Sequence, residues 1–152
     1  MSDNNDILPC VIIPMQDGQL LLPNVSIAEV VDFSISEAEA SSPDWLVGWL
    51  EWRGVSLPVV SYDAANGNKP VVPGGQRGRV VVLNTIGQSH AKMPFLALVT
   101  QGIPSQVRIG PDQVREIEGA KGSADQLLVE LDGDTAVIPD LEYLEKLAYE
   151  AA

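Results

Sequence analysis

Gly48-Trp49-Leu50-Glu51-Trp52-Arg53-Gly54-Val55-Ser56-Leu57-Pro58-Val59-Val60 reads as two β-strands joined by a tight turn. Side chains alternate across a strand, so Leu46, Gly48, Leu50 and Trp52 share one face. Val47, Trp49, Glu51 and Arg53 share the other. The pair Arg53-Gly54 punctuates the run, because glycine reaches the positive φ of a tight connection without steric cost. A second β-rich apolar run follows and ends at Ser61-Tyr62-Asp63. Arg53 is then a fixed charge at a strand end beside two tryptophans. Trp52, on the Leu50 face, belongs to a core. Trp49, on the Arg53 face, is either a contact residue or the cover of a junction, and Trp45 is ambiguous. Apolar groups beside a charge are what small interfaces use as anchors, so the stretch suits recognition better than catalysis.

The same grammar runs outward in both directions. Ile7 to Ile13, Gln19 to Leu22, Val80 to Leu83, Phe95 to Thr100, Gln126 to Leu131 and Thr135 to Ile138 are apolar runs of strand length. Most are bounded by Pro, Gly, Asn or Asp. Asp17-Gly18 and Asp132-Gly133 are hairpin signals. Many short strands without intervening helices argue for an all-β barrel or sandwich. Helix is sparse. Ser26-x-x-Glu29 reads as a capping box opening a short helical turn over Ile27 to Val31. Asp140 caps a C-terminal helix over residues 140–150, with Leu141, Leu144, Leu147 and Ala148 as its apolar stripe. Ala64 to Gly78 is loop by composition. The chain reads as a single domain over 1–152, with approximate halves 19–65 and 79–140 and a connector at 66–78. Whether the first strands cross into the second half stays open.

Composition bounds the function. The chain has 152 residues, 45% of them hydrophobic, enough for one domain with a real core. Twenty-one acidic residues against nine basic ones give a net charge of −12, which repels phosphate backbones and anionic lipid. Nucleic acid and bare membrane are therefore poor partners, although Lys69, Arg77, Arg79 and Lys92 leave room for a local basic patch. The one cysteine, Cys10, forms no intramolecular disulfide and reads as a small buried hydrophobe. The polar, acidic start Met1-Ser2-Asp3-Asn4-Asn5-Asp6 is no signal peptide. No apolar run approaches the ~20 residues of a membrane helix, so the expectation is a cytoplasmic protein without membrane insertion.

Catalytic chemistry finds little stock. The only histidine, His90, sits in the polar loop Gly87-Gln88-Ser89-His90-Ala91-Lys92 and reads as solvated. A hydrolase would need it buried beside Cys10 or Ser89. One Cys and one His cannot build a zinc site. The acid pairs Asp132/Asp134 and Glu116/Glu118 flank turns, where acids face solvent, and the twelve-residue calcium loop is absent. Pro73-Gly74-Gly75-Gln76-Arg77-Gly78-Arg79 is glycine-rich, but a strand follows it where a phosphate loop needs a helix N-terminus. It reads as a connector, with Arg77 and Arg79 as a minor docking handle for an acidic partner. No enzyme, no cofactor and no metal is expected.

The decisive stretch also carries a resemblance. Gly-apolar-apolar-x-apolar-Arg-Gly followed by x-x-x-Pro-apolar-apolar resembles the signature of the CheW-like adaptors of bacterial chemosensory systems. Pro43 to Gly48, Ile27 to Val31 and the closing Val137-Ile138-Pro139-Asp140-Leu141-Glu142-Tyr143-Leu144 fit in the same order, so the likeness spans about residues 20 to 147. Glu51 stands where the family usually has Asn, Ser61 where Asp is frequent, and Thr100-Gln101 where an acid is common. The resemblance implies two small five-stranded SH3-like barrels side by side, with the short C-terminal helix. It implies a non-enzymatic adaptor that couples the cytoplasmic tip of a chemoreceptor to the regulatory domain of a CheA-type histidine kinase, in arrays at the membrane. Glu29 and Arg53 match the family's surface ion pair at the receptor face. Read from the residues alone, Glu29 could equally serve its own helix cap, and Arg53 could pair with Glu51. With Trp49, Glu51, Gly48 and Gly54 they make up the expected partner surface. The acidity and the loop Ser34 to Asp44 point to a divergent member, in a system controlling type IV pilus (twitching) motility. The alternatives are a small-barrel nucleic-acid or other ligand-binding module, and a detached regulatory domain of the kinase type, which differs only in context.

Overall fold

The computed structural model describes residues 7–16, 18–68, 78–86 and 93–151. The chain runs β1 (Leu8–Met15), β2 (Gly18–Pro23), a 3-10 turn (Asn24–Ser26), β3 (Ile27–Asp32), β4 (Ser36–Glu37), β5 (Leu46–Trp52) and β6 (Val55–Val60). After α1 (Tyr62–Ala65) come β7 (Arg79–Asn84), β8 (Phe95–Val99), β9 (Ser105–Ile109), β10 (Val114–Glu116), β11 (Asp125–Leu131), β12 (Asp134–Pro139) and α2 (Leu141–Ala151). Two sheets form, ordered β3-β7-β8-β6-β5-β4 and β10-β11-β12-β2-β1-β9. In each, the two outermost strands are consecutive in the chain, β3 with β4 and β9 with β10. One bent segment thus pairs with both ends of the other strands and closes the sheet on itself. Counted that way each barrel has the expected five strands; counted by hydrogen-bonded pieces it has six.

Sheet membership does not follow the 66–78 connector. β7 and β8 join β3 to β6, with Val59 and Val60 lying parallel to Ala97 and Leu98. β1 and β2 cross into the second barrel, where β1 pairs with β9 and Leu20 lies parallel to Val137. The apolar runs explain the exchange. In Val80-Val81-Val82-Leu83, Val80 and Val82 enter the core of the first barrel, with Leu50, Trp52, Leu57 and Val59. Val81 and Leu83 point the other way, into a cluster shared with Val11, Ile13, Leu20 and Leu22 of the second barrel. Leu21 faces the second barrel's own core beside Cys10, Ile109 and Val129. Such strands are buried on both faces, so they read as continuous apolar runs and can only lie where the barrels meet. Leu144 and Ala148 of α2 complete the shared cluster.

Local signals are honoured with one exception. Asp132 and Gly133 take φ of 50° and 91°, and Arg53 and Gly54 take 50° and 80°, the doubly positive pattern of a two-residue hairpin turn. β1 and β2 form a hairpin at the expected place, although Asp17 lies outside the described residues. The Asp140 carboxylate accepts from the Tyr143 N–H at 3.1 Å and caps α2. The capping box does not form. Ile27–Asp32 is a strand paired with β7, because β-branched Ile27, Val30 and Val31 suit a pleated surface and tertiary pairing outweighs a local cap.

Candidate functional site

Arg53 is the first residue of the β5–β6 turn. Its φ of 50° takes it out of the strand alternation that placed it beside Trp49 and Glu51. The guanidinium turns instead toward β3, where Nη2 meets Glu29 Oε1 at 3.3 Å. Glu29 Oε1 also accepts the indole N–H of Trp52 at 2.9 Å. The guanidinium carbon lies 4.5 Å from the centroid of the Trp52 ring, a cation–π arrangement. Trp52 itself is buried and meets Phe95 edge-on at 4.8 Å. One carboxylate oxygen therefore ties a core tryptophan and a surface arginine to a strand that is not a hydrogen-bonded neighbour of β5. Closure of the barrel is what brings β3 to that turn.

Of the two pairings open to Arg53, the structure makes the one with Glu29. The Arg53 side chain remains 68% exposed and that of Glu29 43%, so the pair contributes only about 0–1 kcal/mol to stability. Its geometry is fixed by the indole donor and the ring beneath it. Exposed Val30 follows Glu29 on β3, and exposed Val55 opens β6 just after the turn. Trp49 is half-buried and Glu51 exposed on the outer face of β5, as the alternation predicts. Gly54 is exposed in the turn, whereas Gly48 is buried, with the Ser36 carbonyl packed against it. The Trp52 N–H was not legible, because no pattern marks which carboxylate an indole will find.

A second polar cluster joins the barrels. Ser61, standing where an acid is frequent in the resembled family, caps α1 by accepting the Ala64 N–H at 3.2 Å, the role an Asp would fill. The cap directs Tyr62 toward the loop before β11. Its hydroxyl meets the Ala124 carbonyl at 2.9 Å and makes a short hydrogen bond to Asp125. Asn66 donates to Asp125 at 2.8 Å and accepts from the Ala124 N–H at 2.6 Å, while the Gly122 N–H donates to the other carboxylate oxygen. Burial would raise the pKa of Asp125, but the hydrogen bonds from Tyr62, Asn66 and Gly122 and the nearby Lys121 outweigh it, so the pKa is lowered. Burial, reinforced by Asp125, pushes the Tyr62 phenol far above its ordinary range.

Catalytic stock is placed as follows. Cys10 is buried among apolar side chains, and that burial pushes its thiol up, away from the nucleophilic form. Ser89 and His90 lie outside the described residues, as do Lys69, Arg77 and Lys92. Among the described residues no cluster of His, Cys, Asp or Glu could hold a metal ion, and no helix is long and apolar enough to cross a membrane.

The overall fold has counterparts among solved structures. Fourteen chains of solved structures match the fold. One is the scaffolding protein TtCheW from Thermoanaerobacter tengcongensis, with a TM-score of 0.70 and 16% sequence identity, covering 88% of this chain and 84% of that one. No curated protein sequence matches. Residues 9–147 match the CheW-like domain, which is nearly the whole chain. The chain belongs to the CheW-like domain family.

Proposed function

We propose that this chain is a non-enzymatic chemosensory adaptor, which couples the cytoplasmic tip of a chemoreceptor to the regulatory domain of a CheA-type histidine kinase. The observation that carries the reading is the Glu29–Arg53 pair, held by Trp52 yet open to solvent at the end of a barrel in a CheW-like domain. Stability gives little reason for an exposed pair built this way, and recognition gives a good one. Arg53, Glu29, Trp49 and Glu51 form the receptor-facing surface, while Gly48 and Gly54 shape the strands that present it. The mechanism is positional. The adaptor fixes the geometry of receptor and kinase, and modest contacts suffice because an array makes binding multivalent. Its place is the cytoplasmic side of membrane receptor arrays, and the acidic 34–44 loop suits a system that drives pilus-based motility.

Titration of a receptor cytoplasmic fragment and of a kinase regulatory domain against wild type and Arg53→Glu tests the reading. Saturable binding of both, with Arg53→Glu weakening the receptor arm about tenfold or more and sparing the kinase arm, is expected. Kinase binding alone, unchanged by the substitution, removes Arg53 from the site. No binding of either removes the adaptor function.

A further inference from the structure

We propose that a groove along the 34–44 segment docks a basic peptide segment carrying large apolar anchors. The groove consists of two adjoining hollows of about 350 and 520 Å³, which share Glu39, Ser42, Pro43 and Leu46. Those volumes fall within the range of ordinary ligand pockets. The floor of the first is apolar, with Phe33, Ile35 and Val47 half-buried. The second is walled by the half-buried rings of Trp45 and Trp49. Around the rim stand exposed Glu37, Glu39 and Asp44, with Glu150 of α2 closing the far side. Among the described residues no lysine or arginine lines either hollow.

An acidic rim alone would be a solvated loop. Here it encircles aromatic and branched side chains that the fold leaves partly uncovered, the pairing that selects a ligand with both apolar anchors and positive charge. The groove is also preformed. Ala38 N–H bonds the Val47 carbonyl, Ser42 N–H the Glu39 carbonyl and Leu46 N–H the Pro43 carbonyl, so little ordering is required when a peptide enters. A second copy of the chain is a poor occupant, since each carries a net charge of −12. The groove shares only Trp49 with the proposed receptor surface and stands without that reading.

The test titrates a short fluorescein-labelled peptide of lysines flanking two phenylalanines against the full chain, by anisotropy. Saturable binding is expected, weakened about tenfold by E37Q/E39Q/D44N, whose three side chains are exposed and whose unfolding midpoint serves as the folding control. Replacing the phenylalanines of the peptide by serine weakens it comparably, and Arg53→Glu leaves it within about twofold. Absence of binding overturns the proposal, as does equal binding by the triple variant. Equal affinity for the serine peptide would reduce the site to unspecific charge. An Arg53→Glu loss as large as that of the triple variant would move the site to the turn. Concentration-dependent dimers of the wild type that the triple variant abolishes would give the groove to a second copy, against the proposal.

Discussion

Gly48 shows how much one missing carbon can decide. A Cβ at this position would stand 2.1 Å from the Ser36 carbonyl oxygen, a backbone atom that cannot swing aside. Only glycine lets β4 lie against β5 and so lets the bent segment close the first barrel. Gly48→Ala should therefore lower stability by about 1–3 kcal/mol, read from urea unfolding, with the loss confined to no single face of the strand. Gly54 matters for another reason. Its Cβ would meet nothing, but its φ of 80° is left-handed, and Gly54→Ala should cost about 1–2 kcal/mol. A Gly54→Asn variant that recovers most of that loss would show the cost to be conformational. Both glycines belonged to the expected partner surface. The sequence marks them as special, yet it does not separate a glycine needed for space from one needed for φ.

Among the elements that the composition concealed, α1 has the largest consequence. Four residues do not carry a helical period, and Ser61 looked like the end of a strand. What makes the helix matter is that it delivers Tyr62 to the second barrel. Tyr62→Phe should destabilise by about 1–2 kcal/mol at neutral pH, since Asp125 loses a donor in a partly buried place. The pH dependence follows from the two shifts. Asp125 has a lowered folded pKa, so its contribution is present above about 4 and is lost as pH falls below that. The gap between wild type and Tyr62→Phe should then narrow at acid pH. Tyr62 has a raised folded pKa, so its contribution is present below about 10 and declines as pH rises beyond it. Unfolding free energies measured across both limbs check this, and a gap that stays constant under acid would separate Asp125 from the phenol. Charge and polarity along the chain gave no hint of this cluster, because its members come from segments about sixty residues apart.

For the whole molecule, eight of the twelve described strands, the hairpin turns and the C-terminal helix were legible, whereas β3 reads as a helical turn and β4, β9 and β10 carry no strand signal. What was not legible was which strands share a barrel. Runs such as Leu20-Leu21-Leu22 and Val80 to Leu83 announce burial on both faces without naming the neighbours, and the parallel pairings Val59–Ala97 and Val137–Leu20 have no local signal at all. The Glu29–Arg53 contact was reached through resemblance, since the local cap was an equal reading of Ser26-x-x-Glu29. The shared cluster predicts one cooperative unit. Leu144, fully buried from α2 between the barrels, should cost about 2–5 kcal/mol when cut to alanine, and both barrels should still unfold in one transition. Separate transitions for Trp fluorescence, which reports the first barrel, and for far-ultraviolet dichroism would show the barrels to be independent.

The exchange of strands has a consequence for synthesis. As the chain leaves the ribosome, β1 and β2 emerge first and find no partners but each other. The first barrel has all its strands once Val99 is out, while the hairpin still waits for Ser105–Ile109 and Asp134–Pro139. During that interval Val11, Ile13, Leu20 and Leu22 lack the second-barrel strands that complete their surroundings, and an isolated hairpin is marginal in water. Their native contacts with Val81 and Leu83 can form as soon as the first barrel closes, while their pairing with β9 and β12 must wait for the later strands.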